Sequence, residues 1–124
     1  MNVLIATEKP FSAKAVAEIK RVLTEAGHTP VLLEKYTSAD ELRAAAATAD
    51  ALIVRSDIVD EALFAAAPNL KIVVRAGAGY DNIDLKAATA AGAIVENTPG
   101  QNSRAVAELV IGMAIMAARN SYHG

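Results

Sequence analysis

The sequence predicts an α/β fold in which helices cover both faces of a five-stranded parallel sheet. Short apolar runs alternate along the 124-residue chain with segments that have helical periodicity. The runs are apolar at consecutive positions, which is typical of strands buried on both faces. A chain of this length is enough for one domain with a core of its own.

The first strand is predicted over residues 3–6 and the first helix over residues 12–26. The helix prediction rests on apolar residues that recur at the i, i+3, i+4 and i+7 positions of one face. Gly27 stands where a left-handed residue ends a helix. Residues 31–33 are the second predicted strand.

The middle of the chain repeats this order. Ser38 begins the second predicted helix, and Glu41 follows three residues later, as in a capping box. The third strand is predicted over residues 51–54. A short helix over residues 60–67 comes next and ends before Pro68.

The fourth strand is predicted over residues 71–74 and the fifth over residues 93–95. Between them Asp84 caps a helix that ends at Gly92. Residues 97–100, with the sequence Asn-Thr-Pro-Gly, are predicted to form a turn.

The final predicted helix begins at Asn102 or Ser103 and runs to about residue 119. Over residues 105–118 its one charged residue is Glu108, which Arg104 precedes by one turn and can pair with. A helix that is apolar all round is buried all round, and one sheet face cannot cover it. We therefore expect it to contact another domain or subunit.

Strands that alternate strictly with helices run parallel, and the expected strand order is the flavodoxin-like 2-1-3-4-5 of a doubly wound sheet. Residues 1–102 are predicted to form this domain, and residues 103–120 the long apolar helix that reaches a partner. Ligands of such sheets bind at the carboxyl ends of the strands.

The loop over residues 75–82 follows the fourth strand and carries Gly77 and Gly79. Two glycines one residue apart let backbone N–H groups approach an anion, although a tight connection without a ligand has the same composition. A dinucleotide fingerprint is the second alternative, with Glu96 as its ribose-binding acid. Against it, Asn82 stands where the third glycine belongs, and the short helix begins only near Asp84.

Arg55 and Ser56 follow the third strand. An arginine there suits bidentate binding of an anionic substrate, but it also fits a surface arginine paired with Asp57 or Asp60. Asn102 and Ser103 stand at a helix N-terminus, where they bind an anion or simply cap the helix.

A phosphate-receiving domain is a further alternative, because Asp57 closely follows the third strand. That chemistry needs an acidic cluster after the first strand to hold Mg²⁺, and only Glu8 is present. It also needs a lysine after the fifth strand, where Glu96 stands.

Composition excludes several classes of function. The net charge is −2 and the lysines and arginines do not cluster, so no nucleic-acid or membrane-surface partner is expected. The absence of cysteine excludes disulfides, thiolate nucleophiles and cysteine-based zinc sites. His28 and His123 lie far apart, so no metal site is expected. We see no signal peptide and no run long enough to cross a membrane, and expect a cytoplasmic protein.

Four blocks of sequence, in this order, resemble the D-2-hydroxyacid dehydrogenases. They are VRS at 54–56, VRAGAGYDNID at 74–84, NTPGQNS at 97–103 and AVAEL at 105–109. The resemblance is close over residues 51–120 and looser over the rest of the chain. It implies NAD-dependent oxidation of a D-2-hydroxy acid, 3-phospho-D-glycerate in serine biosynthesis.

The resemblance also implies roles for residues. The backbone of Gly77, Ala78 and Gly79 would hold the substrate carboxylate. Arg55 and Ser56 would contact the substrate, Arg55 through its phosphate, and Asn102 would face the substrate and the nicotinamide.

In the family, a Rossmann domain for NAD and the catalytic arginine, glutamate and histidine follow the segment that this sequence resembles. We therefore expect these 124 residues to contain no catalytic residue and to be inactive alone. The helix over residues 103–120 matches the interdomain helix near the subunit interface. The alternative is a stand-alone anion-binding or self-associating module.

Overall fold

The computed structural model describes residues 1–8, 11–77, 79, 81–98 and 102–123, the last five without their side chains. Strands and helices alternate as predicted. The strands are β1 (Asn2–Thr7), β2 (Thr29–Glu34), β3 (Ala51–Val54), β4 (Ile72–Ala76) and β5 (Ile94–Thr98). The helices are α1 (Ala13–Glu25), α2 (Ala39–Ala46), α3 (Glu61–Ala66), α4 (Leu85–Ala90) and α5 (Ser103–His123).

The five strands form one parallel sheet in the order β2-β1-β3-β4-β5, which confirms the predicted topology. Side chains alternate between its two faces because the side-chain period of a strand is two. In β3, Leu52 and Val54 pack with α2, α3 and α4, whereas Ala51 and Ile53 pack with α1 and α5. The sheet is therefore doubly wound, with an apolar core on each face.

Four helices start at the predicted positions, two of them at the predicted caps Ser38 and Asp84. Ser12, Ser38, Asp60 and Asp84 each accept a backbone N–H from the first turn of their helix, which satisfies one of its unpaired donors. The capping box at Ser38 is displaced by one residue, because the Glu41 carboxylate accepts from the backbone N–H of Thr37, at 3.3 Å.

The turn predicted over residues 97–100 was wrong for its first two residues. Asn97 and Thr98 belong to β5, where they pair with Arg75 and Ala76 of β4. Residues 99 and 100 lie outside the described part of the chain. The polar composition of this segment concealed a strand end that its neighbour in the sheet stabilises.

Helix α5 lies against α1 and β4. Five of its described side chains are buried there: Val106, Ala107, Val110, Met113 and Ala114. On its outer side, Ile115 is 53% and Met116 57% exposed. The helix thus completes one core of this domain and also presents an apolar outer face.

Candidate functional site

A cavity of about 430 Å³ opens at the carboxyl ends of β3 and β4, between the first turns of α1 and α5. Its volume lies within the range of roughly 300–1,000 Å³ that is typical of small-molecule sites. The described residues that line it are Phe11, Ser12, Ala15, Ile19, Arg55, Ser56, Arg75, Ala76, Gly77, Ser103 and Val106.

Positive groups surround this cavity. Arg55 and Arg75 are the charged side chains among its described lining residues. The first turns of α1 and α5 open into the same space at Ser12 and Ser103, and helix N-termini carry partial positive charge. The described lining includes neither a carboxylate nor an imidazole. The cavity therefore favours a small anion.

Arg55 lies over the ring of Phe11, with its guanidinium carbon 5.4 Å from the ring centroid. This cation–π contact leaves the in-plane N–H donors available for a carboxylate or phosphate. Among the described residues, the guanidinium forms no ion pair with Asp57 or Asp60. Asp57 instead accepts the backbone N–H of Arg55, and Asp60 caps α3.

Arg75 belongs to this cavity too and was not among the predicted site residues. Its Nε donates to the carbonyl oxygen of Arg55 at 3.0 Å, and its Nη1 to that of Gly79 at 3.2 Å. The side chain thus ties the end of β3 to the glycine loop. Its place at the end of β4, directly before two closely spaced glycines, was the sequence signal that could have identified it.

The glycine loop takes a backbone path that suits glycine. Gly77 has φ +152° and Gly79 φ +86°, both positive. Gly77 lines the cavity, and its carbonyl oxygen accepts a hydrogen bond from Asn97 Nδ2 at 3.2 Å. Ala78, the third predicted residue of the carboxylate cradle, lies outside the described residues.

The same loop does not fit a dinucleotide. Such a site needs the first turn of a helix directly at the glycines, so that the pyrophosphate meets its N–H groups. Here α4 begins only at Leu85 and is six residues long. The geometry therefore assigns no NAD-binding role to Gly77 and Gly79.

Asn102 acts as the cap of α5. Its Oδ1 accepts the backbone N–H of Ala105 at 3.1 Å, so the side-chain oxygen is engaged in the helix. Its neighbour Ser103 lines the cavity. The role of Asn102 towards a substrate stays a prediction.

Asp57 lies beside the site and is 5% exposed. Its Oδ1 accepts from the backbone N–H of Arg55 at 3.2 Å, and its Oδ2 from the backbone N–H of Glu8 at 2.8 Å. The hydroxyl of Tyr36 also donates to Oδ2. Burial, and then this hydrogen bond, raise the pKa of Tyr36 above its ordinary value, so the phenol remains a donor. The carboxylate thus joins the ends of β1, β2 and β3.

A second, smaller cavity of about 250 Å³ lies on the other side of this carboxylate. Glu8, Tyr36, Asp57 and Ser56 are among its lining residues, and Ser56 also lines the larger cavity. Because Glu8 and Asp57 are acidic, an anion is better matched by the larger cavity with its two arginines.

In the described ranges, no group of three or more His, Cys, Asp or Glu side chains is arranged to hold a metal ion. Within those same ranges, no helix combines the length and apolar content that crossing a membrane requires.

The chain belongs to the D-isomer-specific 2-hydroxyacid dehydrogenases. The catalytic-domain model of that family matches residues 3–121, which is nearly the whole chain. Among individual relatives, the chain is similar to D-3-phosphoglycerate dehydrogenases. That of Mycobacterium tuberculosis is 51% identical over 81 residues, which are 64% of this chain and 15% of that protein.

The D-3-phosphoglycerate dehydrogenase of Archaeoglobus fulgidus is 39% identical over 120 residues, which are 96% of this chain and 21% of that protein. Among solved structures, the NAD⁺-bound 3-phosphoglycerate dehydrogenase of Entamoeba histolytica is 49% identical, with a TM-score of 0.79. The match covers 93% of this chain and 38% of that one. The chain therefore spans a minor part of the length of each of these relatives.

Proposed function

We propose that this chain is the substrate-binding part of an NAD-dependent dehydrogenase that oxidises 3-phospho-D-glycerate in serine biosynthesis in the cytoplasm. The observation that carries the proposal is the cavity between α1 and α5, whose described lining has two arginines and no acidic side chain. The names of the relatives support the substrate, since all three proteins compared above are named for 3-phosphoglycerate.

In this proposal Arg55 binds the phosphate through its in-plane N–H groups, and Ser56 donates its hydroxyl beside it. The backbone of Gly77, Ala78 and Gly79 binds the carboxylate, and Asn102 faces the substrate and nicotinamide. Residues 1–102 then form the substrate domain, and residues 103–120 the helix that leads to an NAD domain of the Rossmann type.

We further propose that the 124 residues alone do not transfer a hydride. General acid–base catalysis needs a titratable group within hydrogen-bond reach of the reacting hydroxyl. The described lining of the cavity holds no carboxylate, imidazole, amine or phenol. His28 lies at the amino ends of the strands, opposite the cavity, where its Nδ1 is 3.3 Å from the amino group of Met1.

Calorimetry on the 124-residue chain tests the binding proposal. We expect 3-phospho-D-glycerate to bind and Arg55→Met to weaken it roughly 10- to 100-fold, since hydrogen bonds to charged groups contribute about 1.5–3 kcal/mol each. Arg43→Met is the matched control, because Arg43 pairs with Asp40 on α2, away from the cavity. Equal affinity in wild type and Arg55→Met would contradict the proposal. Tight binding of NAD to this chain would favour the dinucleotide alternative.

Self-association through the helix over residues 103–120 is a second proposal. It is supported by the exposed Ile115 and Met116 on the outer side of α5. Sedimentation of the chain at rising concentration should show a dimer that the double variant Ile115→Lys and Met116→Lys abolishes. A strict monomer at high concentration would exclude it, and would leave anion binding unaffected.

A further inference from the structure

The peptide groups of Arg55 are held by three side chains, that of Asp57 from the same loop and those of Arg75 and Asn82 from the end of β4 and the loop after it. We infer that Asp57 and Asn82 are positioning residues that fix Arg55 and Ser56 in place before an anion binds. The inference rests on the proposed anion site and deepens it, because it names residues that prepare the site without contacting the ligand.

Arg55 lies just beyond the end of β3, where the register of the sheet stops. Val54 is the last residue of β3 paired with β4. Beyond it, the N–H of Arg55 donates to Asp57 Oδ1 at 3.2 Å. Its carbonyl oxygen accepts from Asn82 Nδ2 at 3.1 Å and from Arg75 Nε at 3.0 Å. Side chains thus replace the sheet as partners of this residue.

Asn82 also holds the far side of Ser56. The same Nδ2 donates to the carbonyl oxygen of Asp57 at 2.6 Å. One amide nitrogen therefore donates to the carbonyl oxygens of Arg55 and Asp57, the residues on either side of Ser56. This bridge fixes the curvature of the backbone at Ser56, and with it the directions of the two side chains that face the cavity.

Both positioning residues are themselves anchored. The carbonyl oxygen of Asn82 accepts the N–H of Val59 at 2.9 Å, and the carbonyl oxygen of Val59 accepts the N–H of Asp84 at 2.9 Å. This parallel bridge joins the loop after β3 to the loop after β4. The carboxylate of Asp57 accepts from the backbone N–H of Glu8, just beyond β1, and from the hydroxyl of Tyr36, beyond β2. Both positioning residues thus have contacts that do not depend on Arg55.

The side-chain amide of Asn82 has an unsatisfied oxygen among the described residues, and the hydrogen bonds of its nitrogen explain why an amide stands there. Its Oδ1 is buried and has no hydrogen-bond partner among the described residues. An unpartnered buried acceptor destabilises the folded state. Aspartate of the same shape has no donor for the two carbonyl oxygens, so the N–H donors account for an amide at this position.

A double-mutant cycle on the 124-residue chain separates positioning from simple structural support. Asn82→Ala should weaken binding of 3-phospho-D-glycerate roughly three- to tenfold, the effect of ordering one long side chain. In an Arg55→Met background the same change should have less than about a twofold effect, because it acts through Arg55. Asn2→Ala is the matched control, since Asn2 lies at the amino ends of the strands, away from the cavity. Its Nδ2 donates to the carbonyl oxygen of Thr48 at 3.2 Å. It should leave the affinity unchanged.

Equal losses in both backgrounds would overturn the positioning role while leaving Arg55 as an anion ligand. A wild-type chain that binds no anion, or whose binding ignores Arg55→Met, contradicts the proposed function instead. Positioning is then decided by a measurement that needs no ligand.

Nitrogen-15 relaxation of the Arg55 and Ser56 amides supplies that measurement. In Asn82→Ala, at a temperature where the chain is fully folded, both amides should gain motion while Val54 does not. If Asn82→Ala does not fold, Asp57→Asn replaces it, with Asp50→Asn as its control; the Asp50 carboxylate accepts the N–H of Asn2 at 2.8 Å. Unchanged relaxation at both residues overturns the inference whether or not an anion binds.

Discussion

Removal of the Tyr36 hydroxyl tests whether the buried Asp57 carboxylate holds three strand ends together. Tyr36→Phe deletes one of the three hydrogen bonds that this carboxylate accepts from described residues, and leaves those from Glu8 and Arg55. A hydrogen bond to a charged group contributes about 1.5–3 kcal/mol. Because Tyr36 is only half-buried, water compensates part of the loss. We expect a loss of about 1–2 kcal/mol near pH 7.

The difference in stability between the wild type and Tyr36→Phe should also depend on pH, and its direction follows from the pKa of Tyr36. Burial and the bond to Asp57 raise the pKa of Tyr36 in the folded chain above the value of about 10 that it has when unfolded. The contribution to stability is therefore complete below pH ~10 and is lost as the pH rises further, because the unfolded chain ionises first. The phenylalanine variant lacks this loss, so the two stabilities should converge above pH ~10.

Urea unfolding followed by circular dichroism, from neutral to alkaline pH, measures both effects. Groups other than Tyr36 titrate in both proteins and cancel in the difference. A difference below about 0.3 kcal/mol at neutral pH, or one that stays constant through pH ~10, would refute the reasoning.

Three further predictions use the same unfolding assay. Leu63→Ala, at a site 1% exposed, should cost about 2–5 kcal/mol, whereas Leu85→Ala, at a site 47% exposed, should cost less than about 1 kcal/mol; similar losses would contradict the assigned core. Gly79→Ala, at φ +86°, should destabilise the chain by about 1–2 kcal/mol. Gly112→Ala in α5, where a Cβ would meet open space, should stabilise it by up to about 1 kcal/mol, and the same sign for both would be inconsistent with the loop geometry. Arg75→Lys cannot reproduce the fork to two carbonyl oxygens and should cost about 1–2 kcal/mol, a value that a loss below about 0.3 kcal/mol would disprove.

The sequence allowed the topology and most helix starts to be predicted, because both depend on local patterns. Ser12 and Asp84 cap their helices through atoms three residues away, and Gly27 ends α1 at positive φ. The limits of β5 were harder to predict, since Asn97 and Thr98 are polar and become strand only through pairing with β4.

The residues that line the site could be predicted from local sequence, whereas the contacts that support them could not. Arg55 and Ser56 follow an apolar run, and the structure places them together with Gly77 at one cavity. The supporting contacts join residues far apart in sequence: Glu8 and Tyr36 reach Asp57, and Asn82 reaches Arg55, across 21 to 49 positions. The periodicity of a single sequence does not reveal contacts between residues so far apart.

The bridge between Val59 and Ile83 determines which loops of this fold can change length. An inserted residue in the loop after β3 or β4 would shift one side of the bridge and separate Asn82 from Arg55. The turns at the amino ends of the strands, at Gly27 and Gly92, have no such bridge to the cavity among the described residues. Variation in length between proteins of this family should therefore collect at the edge away from the anion, and a peptide tag inserted at either of those glycines should leave the cavity intact.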